Sequence, residues 1–282
     1  MSAPGRKAAI TGHPVAHSRS PLIHGYWLKQ LGIEGEYGRV DVAPETADAY
    51  YRAFSTSGLI GANVTVPHKE TAAKACDWLD SAAKAMGAAN TLWVDDRGRI
   101  CGANTDGLGF LGNLDQLAPG WDQSAGTALV IGAGGAARAI VWALLSRKFT
   151  SVHIINRTAE KAQKIADEFG TGTFAHSWDE LGTLLGKTDL LVNSTSLGMT
   201  GNPPLEIDLT NLRGDALVND IVYAPLETDL LKAAAKRGNP VVDGIGMLLH
   251  QAVPGFERWF GVRPEVTDEL RTLVLKDLGV TT

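Results

Sequence analysis

In Asn63-Val64-Thr65-Val66-Pro67-His68-Lys69 a lysine opens what reads as a helix. The preceding strand ends at Pro67, which puts Lys69 in the first helical turn, where the positive end of the dipole disfavours a cation. A residue set against its local rule is a place to look for function, and an amine there can give or take a proton. A second segment is Ser18-Arg19-Ser20-Pro21. Serines two apart in extended chain point their hydroxyls the same way, and Pro21 suits the start of a helix with Ser20 as its cap. Two hydroxyls beside a helix N-terminus can grip a carboxylate, or they can simply cap. A third pair, Asn90 and Asp106, stands at the two ends of a predicted hairpin and can meet in space. Periodicity leaves open whether Asp106 also reaches Lys69.

A different chemistry belongs to TALVIGAGGAARAIVWALLS, an apolar strand running into Gly132-Ala133-Gly134-Gly135-Ala136-Ala137 and then a helix. This is the dinucleotide-binding fingerprint in its strand, turn and helix setting. Gly132 permits the tight turn, Gly134 lets the backbone approach a pyrophosphate, and Ala137 lets the helix pack closely on the strand. The helix start offers N–H groups and a positive dipole end to phosphate. The next strand ends in Asn156-Arg157-Thr158. An NAD site wants a carboxylate there for the ribose 2′-OH. An arginine with neutral donors suits a 2′-phosphate instead, and Thr158 can cap the following helix. The expected cofactor is NADP.

The elements that must position these residues alternate between short apolar runs and helical stretches, the pattern of a parallel α/β sheet. Strands are predicted over 7–12, 37–42 and 60–66, with helices near 21–31, 45–56 and 68–86. A hairpin over 90–104, turning at Asp96-Arg97-Gly98, gives a mixed sheet with one antiparallel edge. The stretch LAPGWDQSAG over 117–126 punctuates the chain. A second series follows with strands over 127–131, 151–156, 189–194, 216–222 and 240–244, then helices over 246–260 and 266–278. Two α/β domains with a cleft between them is the expected class, and clefts of that kind hold ligands.

Composition closes off several other functions. The chain has 282 residues, a net charge of −5 and no lysine or arginine cluster, so it lacks the electrostatic footprint of a nucleic-acid binder. Its two cysteines, Cys76 and Cys101, have no metal-ligand spacing, which points to a reducing cytoplasm. The N-terminus turns polar and Gly-rich before a signal sequence could form. No run approaches the roughly 20 apolar residues of a membrane span. The seven histidines include one spacing of four, His13 and His17, interrupted by Pro14, so no catalytic metal is expected.

AHSRSP, GANVTVPHKE, AANTL, GANTDG, the GAGGAA turn, NRT and DGIGMLLHQA resemble the shikimate dehydrogenase family in order and spacing, across essentially the whole chain. Ala103 stands where many relatives carry an acid, at a position with no proposed role. The resemblance implies a substrate domain over 1–106, joined by C-terminal helices over 246–282, and a Rossmann-type NADP domain over 107–245. It implies Lys69 and Asp106 as the catalytic pair and Ser18 and Ser20 as the carboxylate clamp. Thr65, Asn90, Asp106 and Gln251 would reach ring hydroxyls, and Tyr223 would line the same pocket. Lys161, Thr195, Ile221 and Gly244 would complete the cofactor set. The implied activity is reversible reduction of 3-dehydroshikimate to shikimate by NADPH, in a monomer or homodimer. The alternatives are a broader quinate/shikimate dehydrogenase and a non-catalytic paralogue that only binds the ligand.

Overall fold

The computed structural model describes residues 5–123 and 126–280. The chain divides into two compact units, Met1–Thr105 with Leu249–Thr282, and Asp106–Leu248.

The first unit is built on β1 (Arg6–Gly12), α1 (Ser20–Gln30), β2 (Gly35–Asp41), α2 (Ala47–Arg52), β3 (Gly61–Val64), α3 (Lys69–Ala75), β4 (Trp78–Leu79), α4 (Ser81–Met86), β5 (Thr91–Val94) and β6 (Ile100–Ala103). Its sheet has the order β2-β1-β3-β5-β6-β4. Only β5 runs against the others, since it pairs antiparallel with both β3 and β6 while the remaining pairs are parallel. The reversed strand is therefore interior, not the expected edge. The cause is β4, which interrupts what reads as one helix over 68–86 and adds a strand beyond the hairpin. Cys76 turns extended at φ −79° and ψ 139°, and Asp80 restarts the helix by accepting from Ala83 N at 2.6 Å. Along the sheet's core face Ala62, Val64 and Leu92 pack with Tyr51, Phe54 and the alanines of α3 and α4.

The second unit runs through α5 (Asp106–Leu117), β7 (Thr127–Ile131), α6 (Gly135–Ser146), β8 (Ser151–Ile155), α7 (Ala159–Phe169), β9 (Thr173–His176), α8 (Leu181–Leu185), β10 (Leu190–Asn193), β11 (Leu217–Asp220), α9 (Asp229–Lys236), β12 (Val241–Val242) and into α10 (Ile245–His250). The strand order β12-β11-β10-β7-β8-β9 is that of the doubly wound dinucleotide fold. Side chains alternate across each strand. Ala128, Val130, Val152 and Ile154 enter one core, whereas Leu129, Ile131, Ile155 and Leu191 enter another on the opposite face. Both faces are thus buried, which is why these strands read as continuous apolar runs. Helix α5 and strand β9 are additions to the sequence reading.

The chain returns to the first unit with α11 (Val253–Phe260) and α12 (Asp268–Asp277). Trp259 of α11 lies against Gly61, where any Cβ would overlap the indole ring, and its Nε1 donates to Leu92 O at 2.9 Å. Among the described residues no helix is long and apolar enough to cross a membrane.

Candidate active site

In the first unit the candidate residues gather at the carboxyl ends of β1 and β3, the customary ligand end of such sheets. Thr65 N donates to Thr11 O at 2.9 Å and His13 N to Val66 O at 3.1 Å. Gly12 permits this closeness, because a Cβ there would overlap the Thr65 methyl group. Lys69 is the first residue of α3 and half-buried. Its carbonyl accepts from Ala89 N at 2.9 Å, which ties the helix start to the Asn90 segment. Asn90 is 2% exposed. Its Oδ1 accepts from Thr105 N at 2.9 Å and lies 3.1 Å from Thr105 Oγ1. Thr105 Oγ1 also reaches the Gln251 carbonyl at 2.8 Å. Thr105, quoted within a motif but given no role, is thus the joint that sets Asn90 beside Gln251.

Ser18 and Ser20 do meet, with their hydroxyls 3.2 Å apart. The local geometry corrects one expectation. Arg19 occupies the cap position of α1 and Ser20 is already helical, so Ser20 is not the cap. It is Ser18 Oγ that accepts from Ser20 N, at 3.2 Å. Arg39 donates to Ser18 O at 2.7 Å, which brings a guanidinium to the edge of the serine pair. The same unit holds a polar cluster that sequence reasoning missed, with Asn63 and His24 buried and Tyr37 half-buried. Tyr37 donates to Asn63 Oδ1 at 2.6 Å, and His24 Nε2 reaches the same oxygen at 3.2 Å. The His24 ring stacks on Tyr37 with centroids 4.0 Å apart. Burial drives His24 down to about 3, and it pushes the Tyr37 phenol well above its usual range, so both stay neutral.

In the second unit Gly132 has φ +111°, a left-handed conformation that favours glycine. A Cβ there would also sit 2.6 Å from Ser194 Oγ. Gly134 and Gly135 face open space, so their backbone is accessible to a ligand. No side chain caps the start of α6, and Ala137 is fully buried beneath it. Asn156, at the end of β8, bonds through Nδ2 to Thr158 O at 2.9 Å. Thr158 holds the cap position of α7, but its side chain makes no capping hydrogen bond, contrary to expectation. Arg157 and Lys161 are exposed. Arg157 makes no hydrogen bond or ion pair among the described residues. Thr195 and Ile221 follow the ends of β10 and β11. They are braced by Asn193, which accepts from Thr195 N at 3.0 Å and donates to Asp220 at 2.9 Å. Burial raises the Asp220 carboxyl, which accepts from Thr228 at 2.7 Å. Gly244 passes so close to Ile221 O that a Cβ would overlap it. Asp106 begins α5, where an acid is favoured by the dipole, and Tyr223 is half-buried after β11.

The glycine cradle, the uncapped α6 and the unpaired Arg157 beside a strand end lacking any carboxylate fit a dinucleotide with a 2′-phosphate. Among the described residues no group of three or more His, Cys, Asp or Glu is placed to hold a metal ion.

Comparison with known proteins agrees in both halves. Residues 10–92 match the family model described as the shikimate dehydrogenase substrate binding domain, residues 117–199 that of shikimate / quinate 5-dehydrogenase, and residues 244–268 that of the shikimate 5'-dehydrogenase C-terminal domain. Shikimate dehydrogenase (NADP(+)) of Azorhizobium caulinodans is 55% identical over 97% of each chain. Among solved structures, shikimate 5-dehydrogenase of Thermus thermophilus in complex with NADP(H) and shikimate aligns with a TM-score of 0.84 at 33% identity, over 95% of this chain and 98% of that one. Quinate dehydrogenase of Corynebacterium glutamicum in complex with NAD aligns with a TM-score of 0.86 at 28% identity, over 96% of this chain and 99% of that one.

Proposed function

The chain belongs to the shikimate dehydrogenase family, and on that premise we propose that it reversibly reduces 3-dehydroshikimate to shikimate with NADPH. Support comes first from the carboxyl ends of β1 and β3, where two serine hydroxyls 3.2 Å apart share one end of the sheet with a lysine at the start of α3. The serines and the nearby Arg39 suit a carboxylate. Thr65, Asn90, Gln251, Asp106 and Tyr223 supply neutral and acidic partners for ring hydroxyls. Asn90 is held in place by Thr105, so its amide is oriented before the substrate arrives.

The Gly132–Ala137 turn, Asn156, Arg157, Thr158, Lys161, Thr195, Ile221 and Gly244 would hold NADPH, which would supply a hydride to the carbonyl carbon. As the carbonyl carbon accepts that hydride, negative charge grows on its oxygen. Lys69 gives this oxygen a proton through Nζ, and the product hydroxyl is complete. Asp106 is the carboxylate of the proposed catalytic pair. In the reverse direction neutral Lys69 removes the hydroxyl proton as hydride leaves. Arg157, with no carboxylate beside it, favours NADP over NAD.

Cytoplasmic residence belongs to the same proposal, supported by Cys76 and Cys101, both free thiols pushed up by burial. Steady-state rates with shikimate and quinate, each with NADP and NAD, test the assignment. The shikimate–NADP pair should have the highest kcat/KM. A higher value for quinate, or for NAD, would overturn it.

A further inference from the structure

Strand β12 is only two residues long and lies at the edge of its sheet, yet the turn over 243–246 that follows it carries Gly244. Two buried asparagines hold its end. Asn219 donates through Nδ2 to Val242 O at 2.9 Å, and Asn113 of α5 donates through Nδ2 to Asp243 O at 2.6 Å. A carbonyl can only accept, so the Asn113 atom facing Asp243 O is the nitrogen. The Asn113 oxygen is then turned to Gly246, where a Cβ would overlap it. Each asparagine is 1% exposed, and each Oδ1 is buried with no hydrogen-bond partner. A bare buried acceptor costs stability, and such an orphan calls for a reason. For Asn113 the reason is the donor at its other corner, since an apolar side chain would fill the same space with no orphan oxygen.

That donor joins two parts of the second unit that bear on the cofactor. Asn113 lies two helical turns after Asp106 on α5, so both side chains share a face of that helix. Helix α5 is in turn seated on α6, which starts at the glycine cradle, because a Cβ on Gly107 would come 2.9 Å from Ala139 O. The turn over 243–246 is fixed on its other side too. Gly244 lies against Ile221 O after β11, and Asp243 Oδ1 accepts from Ile245 N at 3.1 Å. The strand order says which part of a dinucleotide this turn meets. Arg157, suited to the 2′-phosphate, follows β8, whereas Gly244 follows β12, four strand spacings or about 19 Å away. The phosphate cradle follows β7, between the two. The adenosine half therefore belongs on the β8 side and the nicotinamide half on the side of β11 and β12.

We infer that Asn113 is a positioning residue for the nicotinamide half of the cofactor, acting through the Asp243 carbonyl to hold the Gly244 turn. This rests on the cofactor residues proposed above. Losing the donor frees the turn at the β12 end and leaves the β8 end untouched, so the two halves of the cofactor should respond differently.

The test compares NADP with adenosine 2′,5′-bisphosphate, which has the adenosine and the 2′-phosphate but no nicotinamide. Each is titrated against wild type, Asn113→Ala and Asn113→Leu. Leucine nearly keeps the volume of asparagine and has no donor. Kd for NADP should rise about three- to tenfold in both variants, the scale of one neutral hydrogen bond, while Kd for the bisphosphate should not change. A purely structural role predicts that both ligands weaken together, or that Asn113→Leu recovers NADP affinity by filling the cavity. Either result, or an unchanged Kd for NADP in both variants, overturns the inference. If the wild type does not bind the bisphosphate, the failure lies with the proposed cofactor residues instead. Should neither variant fold, wild-type protein labelled with 15N at asparagine gives the readout. NADP should shift the side-chain amide resonance of Asn113 and the bisphosphate should not. An amide unmoved by NADP, or moved equally by both ligands, would overturn the inference.

Discussion

Arg157→Ala isolates the 2′-phosphate contact, because Arg157 is exposed and makes no hydrogen bond or ion pair among the described residues. Removing it takes nothing from the folded protein, so thermal stability should stay within the small range of surface substitutions, about 0.5 kcal/mol. A hydrogen bond between charged groups contributes about 1.5–3 kcal/mol, a factor of roughly 10–150 at about 1.4 kcal/mol per decade. The side chain stands in solvent, and screening pulls such contacts to the low end of their range. KM for NADP should therefore rise about 10- to 30-fold, while KM for NAD barely moves. The wild-type preference should shrink with added salt, and that of the variant should respond less. The assay is initial rate against each cofactor at saturating shikimate, at low and high ionic strength. Equal losses for NADP and NAD would refute the role of Arg157 and place the guanidinium on a part common to both cofactors.

Other outcomes follow from particular contacts. Gly132→Ala forces a side chain into φ +111° and against Ser194 Oγ, which should cost about 1–3 kcal/mol by urea denaturation and weaken NADP binding. Ser18→Ala should raise KM for shikimate with a smaller change in kcat, and an analogue lacking the carboxylate should show no such difference. His24 titrates near 3 when folded and near 6.5 when unfolded. Between those values the unfolded chain holds the extra proton, so stability falls as pH drops below about 6.5, by up to about 1.4 kcal/mol per unit. Urea midpoints from pH 7 to 5 should fall more steeply for wild type than for His24→Gln, and parallel slopes would contradict the buried neutral ring.

The second unit was the more legible half, because strands buried on both faces announce themselves as apolar runs such as Ala128–Ile131. Its omissions have physical causes. Helix α5 carries three glycines and reads as loop. One of them, Gly107, is demanded by packing, since a Cβ would come 2.9 Å from Ala139 O of α6. Strand β9 is four residues long with an exposed Phe174, too short to alternate visibly. In the first unit, alanine-rich sequence over 68–86 has helix propensity throughout, and the break at β4 comes from pairing with β6. Lys69, Ser18, Ser20, Asn90 and the glycine turn could be singled out because their motifs are local. Tyr37, Asn63, His24 and Thr105 could not, since their meaning lies in partners such as Tyr37 and Asn63, or Thr105 and Gln251, far apart along the chain.

Everything proposed for the chemistry converges on one proton, delivered or removed at Lys69. The decisive measurement is the rate of NADPH formation from shikimate, with shikimate and NADP both saturating, for wild type beside Lys69→Ala. The wild type should turn over, and the variant should be slower by roughly 100-fold or more, the scale of a general acid–base group. No NADPH from the wild type would contradict the activity itself, and near wild-type turnover by Lys69→Ala would send the proton by another route.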